Sequence, residues 1–129
     1  MTHKIENTTS YTEKQLEYLN NMQAVCDKAK ELKENCIGYV VAGNDGAGVD
    51  YCYCGEGKGY EGAPLCPACI CAVVFDSKEE AERKANSLIG YRNGAGHEIT
   101  LHVDGARHYF GCIYSQILVS IDIAKYIFL

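Results

Sequence analysis

The chain has 129 residues, a formal net charge of -5 and no tryptophan. A chain of this length can build one hydrophobic core but not two. Its charged fraction of 22% is ordinary for a globular protein and unlike that of a disordered one. Because nucleic-acid-binding domains usually carry a stripe of lysine and arginine, and no basic block occurs here, we expect no direct binding of nucleic acid. We expect a single domain over residues 1–129, with residues 1–10 a loose N-terminus.

The eight cysteines are the strongest compositional signal. Disulfides need an oxidising compartment, and the first ten residues have no apolar stretch typical of a secretory signal. The apolar run over residues 117–129 contains Ser120, Asp122 and Lys125 and is too short to span a bilayer. The sequence therefore predicts a cytoplasmic, monomeric protein that makes no membrane contact. Its clustered cysteines are expected to stay reduced and to bind metal.

The first half of the chain predicts a helix followed by two strands. Apolar residues recur at helical spacing up to about residue 35, and both Ser10/Glu13 and Thr12/Gln15 have the spacing of a capping box. Strands are predicted over residues 37–43 and 49–54, joined by a turn over residues 44–48. Because side chains alternate along a strand, Cys52 and Cys54 are expected to share one face, opposite Tyr51 and Tyr53. A glycine-rich loop follows over residues 55–64.

The second half predicts a buried strand, a helix and a hairpin. The apolar run over residues 70–75 is typical of a central strand, and Asp76 and Ser77 each precede a glutamate by three residues, which indicates a helix start. Residues 99–103 and 106–110 flank Asp104-Gly105, a strong hairpin signature. Residues 113–129 fit strand and helix periods equally. The predicted fold is α+β: two helices packed on an antiparallel sheet of about five strands, with a zinc-stapled loop.

Five cysteines lie within twenty residues, in the order Cys52-x-Cys54, then Cys66-x2-Cys69-x-Cys71. Zinc binds four thiolates in a tetrahedron, and two chelating pairs joined by a flexible loop can supply them. We predict the metal ligands to be Cys52, Cys54, Cys66 and Cys69, with Cys71 able to replace Cys52 or Cys54. Four sulfur ligands leave no open coordination position, so the predicted zinc is structural rather than catalytic.

The remaining cysteines and His108 indicate core positions rather than chemistry. Cys26 and Cys36 belong to the first helix, and Cys112 shares the apolar face of the predicted hairpin with His108. A thiol oxidoreductase needs a helix after its Cys-x-x-Cys motif, whereas a strand is predicted after Cys69. A zinc deaminase needs a Pro-Cys-x-x-Cys motif, which Leu65 interrupts. We therefore expect a non-enzymatic protein.

The layout of Cys52, Cys54, Cys66 and Cys69, followed by the strand-to-helix step over residues 75–82, resembles small accessory proteins that phages and mobile elements encode against bacterial defence. Within that set it is similar to the zinc-containing type II anti-CRISPR proteins, which inhibit Cas9. The resemblance implies a bacterial host cell, and a CRISPR effector, Cas9, as the partner.

The same resemblance implies stoichiometric inhibition, in which acidic side chains occupy a basic nucleic-acid-binding surface and target DNA fails to load. The candidate contact residues are Asp76, Glu79, Glu80 and Glu82, which could equally form a solvated face. The alternative function is a zinc-ribbon-like regulatory module that binds nucleic acid or a transcription protein.

Overall fold

The computed structural model describes residues 11–128, which form three helices, four strands and one short 3-10 helix. In chain order the elements are α1 (Glu13–Asn35), β1 (Tyr39–Asn44), β2 (Asp50–Tyr53), the 3-10 helix (Tyr60–Gly62), β3 (Leu65–Pro67), α2 (Lys78–Ser87), β4 (Thr100–Gly105) and α3 (Ala106–Phe128). The predicted loose N-terminus, residues 1–10, and the Ser10 cap lie outside the described residues.

The four strands form one antiparallel sheet in the order β3-β2-β1-β4, with helices on both faces. Alternation along β1 divides the core in two. Val40 and Ala42 pack with α1 and α3 on one face, whereas Val41 packs with α2 on the other. The predicted α+β class is confirmed, but the described residues contain three helices rather than two and four strands rather than about five.

Local capping signals are confirmed at both predicted helix starts. The side chain of Thr12 accepts a hydrogen bond from the Gln15 amide, and the Gln15 side chain accepts one from the Thr12 amide, which completes a capping box for α1. Ser77 accepts from the Glu80 amide at the start of α2. These bonds satisfy amides that would otherwise lack partners in the first turn of each helix.

The prediction of a central strand over residues 70–75 is wrong. Only Phe75 forms a bridge, through two backbone hydrogen bonds of 2.7 and 2.9 Å to Tyr39, and the strand beside β2 is instead Leu65–Pro67. Residues 70 and 71 lie in a turn, and the chain then crosses to Tyr53, whose carbonyl accepts a bond from the Val73 amide. The apolar side chains of this segment therefore pack in the core, although residues 70–74 do not form a strand of the sheet.

The predicted hairpin around Asp104-Gly105 is also wrong, because β4 pairs with β1 and the chain enters α3 directly after Gly105. The buried residues Ala106, Tyr109, Phe110 and Ile113 follow the i, i+3, i+4, i+7 spacing of a helix. Consequently, two residues expected in the core lie outside it.

His108 and Cys112 are the two residues that were predicted to lie on the apolar face of the hairpin. In the structure the His108 side chain is 73% exposed, and Cys112 is exposed as well.

Among residues 11–128, α3 alone has the length and the mean hydropathy, 1.2, that would suffice for a membrane-crossing helix. The core helix of a globular protein can have the same composition, and α3 places Tyr109, Phe110 and Ile113 in the core beside α1. Farther along the helix Val119, Ile123 and Ile127 are more than half exposed. That the protein makes no membrane contact remains a prediction.

Two glycine substitutions test the backbone assignments: Gly111→Ala tests the helical conformation of α3, and Gly43→Ala tests the close packing of β1 against β4. A Cβ at Gly111 would meet the Lys33 side chain at 3.7 Å, an ordinary contact, so Gly111→Ala should stabilise the protein by about 0.5–1 kcal/mol through helix propensity. A Cβ at Gly43 in β1 would lie 2.7 Å from Leu101 and 2.8 Å from the Thr100 carbonyl, so Gly43→Ala should destabilise it. Chemical denaturation measures both. A destabilising Gly111→Ala would contradict the helix.

Candidate metal centre

Four cysteine sulfurs converge beside the β2–β3 pair. The Sγ atoms of Cys52, Cys66, Cys69 and Cys71 all lie within 4.8 Å of one another. Cys52 is fully buried and Cys71 is exposed, so the cluster extends from the core to the protein surface.

Strand register brings the first two sulfurs together. Cys52 in β2 is directly opposite Cys66 in β3, a position at which cross-strand side chains touch. The turn after β3 supplies the other two sulfurs, and it is anchored at both ends to β2. The Ala68 amide donates to the Asp50 carbonyl, and the Val73 amide donates to the Tyr53 carbonyl, each at 2.9 Å.

The sulfur spacing matches that of a tetrahedral thiolate site. Cys66 Sγ lies 3.6 Å from Cys52 Sγ, 3.6 Å from Cys69 Sγ and 3.1 Å from Cys71 Sγ. A Zn–S bond of about 2.3 Å places neighbouring sulfurs of a tetrahedron about 3.8 Å apart. The four sulfurs could therefore hold one metal ion if the Cys69 and Cys71 sulfurs, which are in direct contact, moved apart.

The sulfurs of Cys69 and Cys71 are in direct contact and are also compatible with a disulfide. A disulfide would leave Cys52 and Cys66 as a pair of buried or half-buried thiols beside it. A shared metal ion accounts for all four sulfurs at once and needs no oxidant. Counting free thiols in the denatured protein distinguishes the two chemical states.

The electrostatics of the cluster favour a cation. Burial raises the pKa of the Cys66 thiol, and its neighbours Cys52 and Cys54 raise it further. Thiolates packed this closely would repel each other in a poorly solvated site. A divalent cation offsets the repulsion between the thiolates, and a thiol that coordinates the cation is deprotonated outright. Metal binding should therefore release protons, and metal affinity should weaken as the pH falls.

Tyr109 in α3 fixes the turn that carries the sulfurs. Its hydroxyl donates to the Cys69 carbonyl at 2.8 Å and accepts from the Cys69 amide at 2.9 Å. The hydroxyl thus satisfies both backbone groups of one proposed ligand. Burial raises the pKa of Tyr109, with smaller contributions from Cys52 and Cys66, so the phenol stays protonated and able to donate.

The structure brings together three of the four predicted ligands and replaces the fourth. Cys54 lies two residues beyond Cys52, just past the last pair of the β2–β3 ladder, and its thiol donates to the Pro64 carbonyl at 3.3 Å. Because the turn after Cys69 folds back over the sheet, Cys71 completes the group in place of Cys54. Cys71 was predicted as a substitute for Cys52 or Cys54, whereas Tyr109 was not predicted, although its helical spacing with Ala106 and Ile113 was an available signal.

Cysteines outside the cluster behave differently from one another. Cys26 is fully buried in α1, as predicted, and Cys36 packs against the core. Neither belongs to the group of four sulfurs.

Comparisons with protein-family models, with curated proteins and with solved structures found no match to this chain.

Two serine substitutions on the same stretch of chain test the ligand assignment. Cys71→Ser should abolish stoichiometric metal binding, because the fourth sulfur is lost, whereas Cys54→Ser should retain it. Elemental analysis of the purified variants gives the metal content per chain. The unfolding temperature of Cys71→Ser should also fall, since metal binding adds to the folding free energy. Metal loss in Cys54→Ser with retention in Cys71→Ser would restore the original ligand set.

Proposed function

We propose that this protein is a non-enzymatic binding protein built around one structural zinc ion. The observation that carries the proposal is the convergence of four cysteine sulfurs within 4.8 Å of one another. Four protein sulfurs fill a tetrahedral coordination sphere and leave no position for water or substrate, which is the arrangement of structural zinc sites.

The donor set restricts the proposed metal to zinc or iron, and zinc is proposed because four cysteine ligands are typical of structural zinc sites. Four thiolates in tetrahedral geometry suit zinc or iron, whereas calcium and magnesium need oxygen ligands. The Cys66 sulfur lies 3.1–3.6 Å from the other three sulfurs, close to the spacing of thiolates around a single ion. Zinc is redox-inert, so its role would be to join β2, β3 and the following turn.

Elemental analysis of protein purified without added metal tests the zinc proposal. We expect about one zinc ion per chain, and eight thiols that react after denaturation and chelation. A metal-free protein with six reactive thiols would instead indicate the Cys69–Cys71 disulfide and refute the proposal. One equivalent of iron in place of zinc would refute the metal identity alone.

We further propose that the protein inhibits a bacterial CRISPR effector, Cas9, by occupying a basic nucleic-acid-binding surface. This proposal rests on the resemblance given above and is supported by charge. The side chains of Asp76, Glu79, Glu80 and Glu82 are exposed at and after the start of α2. None of the four forms an ion pair with another described residue, so all remain free to contact cations on a partner. Opposite charge accelerates such an encounter.

Titration into a Cas9 cleavage assay tests this mode of action. A protein that acts by occupancy should inhibit with an endpoint near one molecule per effector, and inhibition should weaken as salt screens the charges. Reversing Glu79 and Glu80 to lysine should weaken inhibition. Inhibition far below equimolar amounts would indicate catalysis, and no inhibition at any ratio would remove Cas9 as the partner.

A charge-matched control separates the proposed contact face from net charge. Glu17 in α1 and Asp122 in α3 are exposed and unpaired among the described residues, so Glu17→Lys with Asp122→Lys changes the net charge equally on other helices. This control should inhibit like the wild type. A shift assay with bare DNA tests the regulatory-module alternative, which predicts DNA binding without any effector.

A further inference from the structure

A second group of polar side chains lies at the start of α3, apart from the four clustered sulfurs. Asp104 at the end of β4 contacts His108, with its carboxylate oxygens 2.8 and 3.1 Å from the Nδ1 atom. One helical turn farther on, the Nε2 atom of His108 lies 3.8 Å from the Sγ atom of Cys112. The three residues thus form a chain of contacts: carboxylate, imidazole, thiol.

The proton positions along this chain follow from the donor inventory. A carboxylate can only accept, so Asp104 holds the proton of a neutral His108 on Nδ1. Nε2 then presents a lone pair to Cys112, whose thiol is the donor. Asp104 also fixes the ring orientation, and it would stabilise the imidazolium if the thiol proton moved to Nε2. This is the arrangement by which a histidine base activates a nucleophilic cysteine.

The arrangement does not fit a metal site, because it offers two ligand atoms, His108 Nε2 and Cys112 Sγ, and the described residues place no third one with them. The described cavities also provide no substrate pocket beside Cys112. The geometry therefore favours a reaction with a reagent arriving from solvent. Of the six cysteines outside the Cys69–Cys71 contact, Cys112 is the one that is exposed.

We propose that Cys112 is a reactive thiol that forms a mixed disulfide with low-molecular-weight disulfides. His108 Nε2 takes the thiol proton, and the Cys112 thiolate attacks one sulfur of the small disulfide. A new S–S bond forms to Cys112 as the S–S bond of the reagent breaks, and the departing thiolate takes the proton back from His108. The net reaction exchanges one thiol for another and needs no further oxidant.

Two cationic side chains lie along the same stretch of α3. The Lys33 side chain of α1 lies against Gly111 and directs its ammonium over the Tyr114 ring, 5.4 Å from the ring centroid. Arg107 donates to the Cys36 carbonyl at 3.3 Å. These two charges that α1 and α3 bring to the vicinity are cationic, while the anionic Asp104 reaches Cys112 only through His108.

Incubation of the full-length, metal-loaded protein with oxidised glutathione tests the proposal. Intact mass and peptide mapping should find one glutathione per chain, on the peptide that contains Cys112, and Cys112→Ser should prevent it. His108→Gln should slow modification by about three- to fivefold, because no neighbouring base then takes the thiol proton during the attack. Alkylation by iodoacetamide, which carries no charge, should slow similarly. An unchanged rate in His108→Gln would overturn the proposal.

Controls distinguish activation from a general structural effect. His102→Gln removes an exposed histidine from β4, outside this chain of contacts, and should leave the rate unchanged. Asp104→Asn should slow the reaction in the wild type but not further in His108→Gln, since Asp104 acts through His108. Unfolding temperatures of the variants show whether the fold persists. Preferred modification of another cysteine would refute the assignment of Cys112, whereas additional adducts on Cys66 or Cys71 would count only against the zinc centre.

Discussion

The packing of four sulfur atoms against β2 is the constraint on which this part of the fold depends. β3 has only three residues, and it follows a loop in which Gly55, Gly57 and Gly62 have positive φ angles. So short an edge strand has little stability of its own. A metal ion bound as proposed would join this strand and the turn after it to β2. Tyr109 would then connect the same turn to α3.

Local sequence signals predicted the first half of the fold well, because they depend on neighbours in the chain. The Thr12 cap and the alternation of Cys52 and Tyr53 across β2 are such signals, and the structure bears out both. The sequence also predicted a cysteine cluster and named the five cysteines from which its four members come. Whether Cys71 would replace Cys52 or Cys54 was not predictable, since it depends on the β2–β3 register and on how the turn folds back over the sheet.

The start of α3 shows how a local signal fails. Asp104-Gly105 has the composition of a hairpin turn, and the residues that follow alternate over a short distance as a strand would. Over a longer span, Tyr109, Phe110 and Ile113 fall on one helical face, and that face packs against α1 and the sheet. Tertiary packing therefore overrides the turn signal. The helical conformation of this segment places His108 and Cys112 outside the core and in contact with each other. The short-range alternation in the sequence did not indicate that contact.

The proposed metal centre and α2, the helix proposed to contact the partner, lie on opposite faces of the sheet. Two adjacent residues of β2 connect them. Cys52 points to the α1/α3 face and joins the sulfur cluster, whereas Tyr53 points to the α2 face. There the Lys84 ammonium lies 5.0 Å from the Tyr53 ring centroid and pairs with Glu56 at 2.9 Å. A metal ion at the cluster would therefore stabilise β2, whose Tyr53 side chain contacts α2, without contacting a partner itself. By this geometry, metal loss would impair partner binding only through the fold, while charge changes on α2 would impair it with the metal still in place.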